Sequence, residues 1–158
     1  GLQKGILNGW ISLPSPSAPT KCGRIDIAEY EHYDDPLNGD LHEVIPGKFV
    51  ALKGPKDLSG LDFLDDCSGY RAFSPNYYVD ILRELNVVAV VRLNEPEYDG
   101  RPFADAGIQL HELEFDDCTA PPKTIVAAFF AAADAAHQRG GAVAVHCKAG
   151  LGRTGTLI

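Results

Sequence analysis

The stretch at residues 142–155, AVAVHCKAGLGRTG, restricts this chain more than any other part of it. Four apolar residues lead without interruption into His146-Cys147, and apolar side chains at successive positions point to both faces of a strand. Such a strand belongs inside a sheet covered on each side by helices. Gly150 and Gly152 then allow the positive φ values of a tight curl, and the residues around Arg153 read as the start of a helix. Strand, curl and helix start in this order place a site beyond the carboxyl end of a central strand.

The remaining chain fits the same architecture. Residues 48–52 (KFVAL) form a short β-like run ending at Gly54-Pro55. Residues 75–86 carry Tyr78, Ile81, Leu82 and Leu85 at helical spacing. The β-branched run at 87–93 predicts a second strand buried on both faces, and the alternation over 108–114 predicts one nearer an edge. Pro121 and Pro122 open a helix with Ile125, Phe129, Ala132 and Ala136 on one face, ending at Gly140-Gly141. The expected fold is α/β, with a mainly parallel central sheet and helices on both faces.

The chain of 158 residues is 45% hydrophobic and 23% charged, which suits one globular domain with a sizeable core. No apolar run reaches the length of about 20 residues that spans a bilayer. Residues 1–10 lack a charged-then-apolar leader pattern, so no membrane association is expected. A net charge of −8 repels nucleic acid and anionic lipid and favours basic partners. Cys22, Cys67, Cys118 and Cys147 form no CxxC pair, which points to a reducing, intracellular setting. The chain does not begin with Met and stops five residues after Arg153, so both ends read as cut. Three prolines, three serines and a glycine make residues 12–24 a loop or linker. An acidic stretch follows (Asp26, Glu29, Glu31, Asp34, Asp35, Asp40), as consistent with solvated surface as with a binding role.

The chemistry concentrates in HCxxGxxR, His146 to Arg153. A tight loop entering a helix offers backbone N–H groups and a positive dipole end to a phosphate dianion. Here that loop consists of Lys148, Ala149, Gly150, Leu151 and Gly152, closed by Arg153. The Arg153 guanidinium presents a planar fork to two phosphate oxygens, which lysine could not do. A free thiol titrates near about 8.5, but a helix N-terminus and a guanidinium favour the anion, so Cys147 is expected as a thiolate nucleophile. Thr154 is placed to donate its hydroxyl to the sulfur, and His146 is expected to orient the loop. Expulsion of an oxygen leaving group needs a proton, for which Asp116 and Asp117 in FDDCTAPP are the candidates.

Together with FDDCTAPP, the segments HCKAGLGRTGTLI, VVRLNEPEYDGRPFADAGI, EYEHYDDPLNGD and IPGKFVALKGP make the chain resemble the Cdc-fourteen family. These are dual-specificity, cysteine-dependent protein phosphatases that reverse cyclin-dependent kinase phosphorylation. The resemblance implies the cysteine phosphatase fold, truncated here at the C-terminus. It further implies that residues 1–44 are the end of a first, non-catalytic phosphatase-like domain with its linker, and that 45–158 belong to the catalytic domain. Aligned through Pro121, the family's general acid falls on Asp117, with Asp116 where a small residue is usual. Phosphoserine followed by proline, with a basic residue beyond, is the implied substrate. Glu31, Asp34 and Asp40 match the acidic groove that holds the basic side chain, Asp34 standing where glutamate is usual. No cofactor or metal is implied, and a nuclear and cytoplasmic location is expected. The alternatives are an inactive fragment or phosphate-binding pseudophosphatase, and a phosphoinositide phosphatase. The last tends to carry two basic residues in the loop, where this chain has Lys148 and Leu151.

Overall fold

A computed structural model of the chain describes residues 27–158. The loop expected at 12–24, and residues 1–26 of the expected first-domain tail, lie outside the described residues. From Ile27–Asp34 (α1) the chain enters an antiparallel pair, Leu41–Ile45 (β1) and Phe49–Leu52 (β2). A small hairpin, Phe63–Asp65 (β3) and Arg71–Phe73 (β4), precedes the helix Pro75–Glu84 (α2). Then come Val87–Arg92 (β5), Arg101–Asp105 (α3), Gln109–Glu112 (β6), Lys123–Gln138 (α4), Ala142–His146 (β7) and Gly152–Leu157 (α5).

The main sheet has the order β1-β2-β7-β5-β6, and every pairing in it except β1 with β2 is parallel. β7 is therefore central, hydrogen-bonded to β2 on one side and β5 on the other, and all five of its residues are buried. Its alternation divides the core in two. Ala142 and Ala144, with Val90 of β5 and Val50 and Leu52 of β2, meet Tyr78 and Leu82 of α2 and Phe103 of α3. Val143 and Val145, with Ala89 and Val91, meet Phe129, Ala133 and Ala136 of α4. Both faces are covered by helices, as the apolar runs require. β6 lies at the edge, and its residues are exposed or half-buried.

Local chemistry explains the element ends. Ser74 caps α2 by accepting from the Tyr77 N–H at 3.5 Å, and Pro75 takes the first helical position, where its missing N–H costs nothing. Asn86, at φ 53°, turns the chain from α2 into β5, and its side-chain amide donates to Gly140 O at 2.8 Å. That bond ties the start of β5 to the turn before β7. Gly141 lies so close to Val88 that an added Cβ would sit 2.3 Å from Cγ1.

One buried hydroxyl joins α2 to the turn ahead of β1. Tyr78 is fully buried, and its O–H donates to Gly39 O at 2.6 Å. Replacing it by Phe leaves that carbonyl unpaired in an apolar setting. Tyr78→Phe should therefore lower the unfolding free energy by about 1–2 kcal/mol, read from urea midpoints at constant slope. An unchanged midpoint would show that the carbonyl finds another partner.

Candidate functional site

His146, the last residue of β7, is fully buried, and its two ring nitrogens hold different partners. Nδ1 is 3.0 Å from Cys147 O, which only accepts, so Nδ1 carries the proton. Nε2 then accepts from the Tyr98 hydroxyl at 2.8 Å. Burial, opposed by the bond to Cys147 O and assisted by the charge of Arg92, brings the His146 pKa down from 6.5 to about 4. The imidazole is thus neutral and fixed in one tautomer.

Tyr98 is itself held. The Arg92 guanidinium lies over its ring at 4.4 Å from the centroid and donates through Nη1 to Tyr98 O at 2.9 Å. Glu112 on the neighbouring strand grips Arg92 from the other side, with Nε donating to Oε2 at 2.7 Å and Nη2 donating to Oε1. A chain of contacts therefore runs from Glu112 on β6, through Arg92 on β5 and Tyr98 in the following loop, to the carbonyl of Cys147. Sequence reasoning missed these three residues. The only available signal was an arginine closing an otherwise apolar strand, since a buried guanidinium demands a carboxylate.

Cys147 is 3% exposed. Burial works against its anion, but the Thr154 hydroxyl and the backbone N–H groups of Thr154, Gly150 and Leu151 outweigh it, and the thiol titrates below its ordinary range. The converging donors come from the curl and the first turn of α5, as a helix N-terminus provides. The expected contribution of the Arg153 guanidinium is not among these causes. Thr154 Oγ1 is buried and outside full hydrogen-bond geometry to any group, so a sulfur anion is the acceptor within its reach.

The curl is pressed against the end of β2. Gly150 has φ 75°, and a Cβ there would come within 2.5 Å of Leu52 O. A Cβ on Gly54 would come within 2.3 Å of Cys147 O, and the Gly54 N–H donates to Lys148 O at 3.2 Å. Only glycine fits at these two positions. Gly152 departs from expectation: its φ is not positive, because it is the first residue of α5 and shares the helix geometry.

Arg153 is 6% exposed, and Nη1 donates to Phe115 O at 3.1 Å and to Leu93 O at 3.3 Å. These carbonyls anchor one edge of the guanidinium. Nε is buried without a hydrogen bond, 3.4 Å from Asp117 Oδ1. Asp117 is thus the member of the acidic pair that faces Arg153, while the Asp116 carbonyl accepts from the Thr119 hydroxyl at 2.7 Å. Both acids are exposed, as are Lys148, Ala149 and Leu151. Lys148 Nζ lies 3.2 Å from Glu97 and 3.8 Å from Glu95. Of the acidic run, Glu31 and Asp34 are exposed on α1. Asp34 pairs with His42 at 3.2 Å, and Asp40 lies 3.8 Å from Lys53.

The depressed titration of His146 has a measurable outcome. Above about pH 6.5 the histidine is neutral in both folded and unfolded chains. As pH falls from 6.5 toward 4 the unfolded chain takes up a proton that the native state refuses. Stability should decline across that window by up to about 3 kcal/mol. Urea unfolding from pH 7 to 4 should show this slope, and His146→Asn should flatten it; equal slopes would mean that the histidine titrates normally.

The family model Tc-R-P, described as "Polymorphic toxin system, DSP-PTPase phosphatase", matches residues 68–158. Dual specificity protein phosphatase CDC14C of Homo sapiens is 44% identical over 133 residues, 84% of this chain and 28% of that protein. CDC14A of Homo sapiens is 39% identical over 158 residues, all of this chain and 24% of the relative. The tyrosine-protein phosphatase CDC14 of Saccharomyces cerevisiae is 38% identical over 133 residues, 84% of this chain and 24% of the relative. The chain spans about a quarter of the length of these curated relatives. Among solved structures, a putative protein tyrosine phosphatase from Leishmania major superposes with a TM-score of 0.54 at 26% identity, covering 72% of this chain and 66% of that one. PTPMT1 in complex with PI(5)P superposes with a TM-score of 0.52 at 19% identity, covering 70% of this chain and 63% of that one, a likeness of fold alone. With more than half of its residues inside the family match and similarity to CDC14 proteins along its length, the chain belongs to the dual-specificity branch of the cysteine-dependent phosphatases.

Proposed function

We propose that residues 147–154 form the catalytic loop of a protein phosphatase acting on phosphoserine, phosphothreonine and phosphotyrosine. In the first step the Cys147 thiolate attacks phosphorus, the bond from phosphorus to the seryl, threonyl or tyrosyl oxygen breaks, and Asp117 gives that oxygen its proton. The phosphoryl group then rests on sulfur as a cysteinyl-phosphate. In the second step water attacks phosphorus, Asp117 takes a proton from that water, and the sulfur leaves as a thiolate received by the Thr154 hydroxyl. Arg153, together with the loop N–H groups of 148–153, carries the charge that spreads over the equatorial oxygens. His146 acts on the loop, not on the proton.

The observation that carries this reading is the pairing of two half-built contacts. Cys147 has its anion favoured by donors from Gly150, Leu151 and Thr154. Beside it Arg153 is anchored by one edge and keeps an unfilled, buried Nε toward Asp117. A phosphate supplies the acceptor that Nε lacks and puts the leaving oxygen on the side of Asp117. Cys147→Ser should reduce turnover below about 1%. Asp117→Ala should slow phosphopeptide hydrolysis by roughly a hundredfold, with a smaller loss on an aryl phosphate whose leaving group needs less help. Steady-state kinetics on both substrates decide this, and a loss confined to Asp116→Ala would move the acid by one residue.

The finer assignment is a phosphoserine-proline substrate with a basic residue beyond it, of the kind made by cyclin-dependent kinases, in the nucleus and cytoplasm. Glu31 is exposed and paired with nothing among the ion pairs of the described residues, while Asp34 already faces the His42 ring and Asp40 the Lys53 ammonium. Reversing Glu31 and Asp34 to lysine should lower kcat/KM on peptides with a basic residue after the phosphoserine-proline pair, and the loss should shrink at high salt. An aryl phosphate lacks that contact and should respond little; equal losses on both would point to a damaged fold.

A further inference from the structure

The catalytic loop carries one exposed cation, and the fold matches it with two carboxylates. Lys148 follows the cysteine directly and is 61% exposed at its side chain. Its ammonium lies 3.2 Å from Glu97 Oε1 and 3.8 Å from Glu95 Oε1. The hydrogen bond to Glu97, then the charges of Glu97 and Glu95, hold the lysine charged. Both acids come from the loop after β5, and that loop is fixed from several sides. The Asp57 N–H donates to Glu97 O at 2.9 Å, and the Asn94 side-chain amide donates to Glu95 O at 2.9 Å. Tyr98, the next residue, is buried against His146. Glu97 is 22% exposed at its side chain, so half of the pair is built into the wall of the loop.

We infer that Glu95 and Glu97 are specificity-determining residues that withhold Lys148 from the substrate, so that the site accepts an isolated phosphate on a protein and discriminates against a second phosphate close by. The inference rests on the phosphatase reading above. A lone lysine at the rim would attract any extra anion near the scissile phosphate. Paired with two carboxylates it contributes a net negative rim, and the attraction for phosphate is left to Arg153 and the loop N–H groups below it. The scissile phosphate, seated on those buried donors, is indifferent to the rim. An adjacent phosphate cannot enter so deep and meets Glu95 and Glu97 instead, where like charges repel.

The test compares two peptides of one sequence, one with a single phosphoserine and one with a second phosphoserine two residues away. For the unaltered chain the second phosphate should lower kcat/KM. In Glu95→Gln/Glu97→Gln that penalty should fall by about tenfold, through KM and not kcat, and adding Lys148→Ala should return only the part of that gain supplied by the freed cation, leaving a penalty between those of the unaltered chain and the double variant. The inference is overturned if the unaltered chain treats both peptides alike, or if the penalty survives the double substitution unchanged. Calorimetric binding of the same peptides to Cys147→Ser, with and without the two glutamine changes, reads the same ratio without turnover. Absence of hydrolysis of either peptide by the unaltered chain would therefore sink the phosphatase reading while the binding ratio still decided the role of the glutamates.

Discussion

Convergence of backbone N–H groups on a single sulfur is the constraint around which the rest is arranged. Donors from Gly150, Leu151 and Thr154 reach Cys147 only if the chain reverses within a few residues of leaving β7 and then starts a helix. The reversal needs Gly150 at a positive φ, the close approach of β2 needs a bare Gly54, and the carbonyl of Cys147 must be turned toward His146. A thiol buried in this way would ordinarily be a weaker acid than one in water. Here the Thr154 hydroxyl and the backbone N–H groups outweigh that desolvation and bring the thiol below its ordinary range.

The two hydrophobic cores serve this arrangement. Parallel neighbours on both sides of β7 hold its carboxyl end at a defined height relative to β2 and β5. The loops that follow those strands then bring Gly54 and Tyr98 to the same curl. α4 packs its Phe129 and alanines on one face and leaves its N-terminal turn next to the segment bearing Asp117. Glu112 on the edge strand closes the network from the far side through Arg92.

Much of this was legible in the sequence wherever burial is uniform or the chemistry is local. β5, β7 and α4 announce themselves because strands covered on both faces are apolar throughout and a buried helix repeats at its own period. The loop residues lie within eight positions of one another, so their spacing alone carried the chemistry. What escaped was short or non-local. α3 and the hairpin of β3 and β4 are too brief for a period, and the hairpin exposes Phe63 and Leu64 where apolar residues would be read as core. β1 (LHEVI) gives no signal because its five residues lack a clean alternation and it lies at the edge of the sheet. Tyr98, Arg92, Glu112 and Gly54 meet the loop only through the strand order, which no local pattern encodes. Gly152 reads as a turn glycine like Gly150, since two glycines bracket the curl and only the topology tells which belongs to the helix.

The central position of β7 has a further consequence. Its amides are locked between two strands and sealed beneath helices on both faces, so they are expected to exchange with solvent only when the whole domain opens. The loop grows directly from that strand, and the carbonyl of Cys147, the proposed nucleophile, is tethered to the buried His146 imidazole. On this reading, control by melting a segment would have to act away from Cys147. What remains open to adjustment is the periphery: the exposed segment bearing Asp117, and whatever approaches the rim from outside. The protein thus separates a chemically permanent centre from a negotiable entrance.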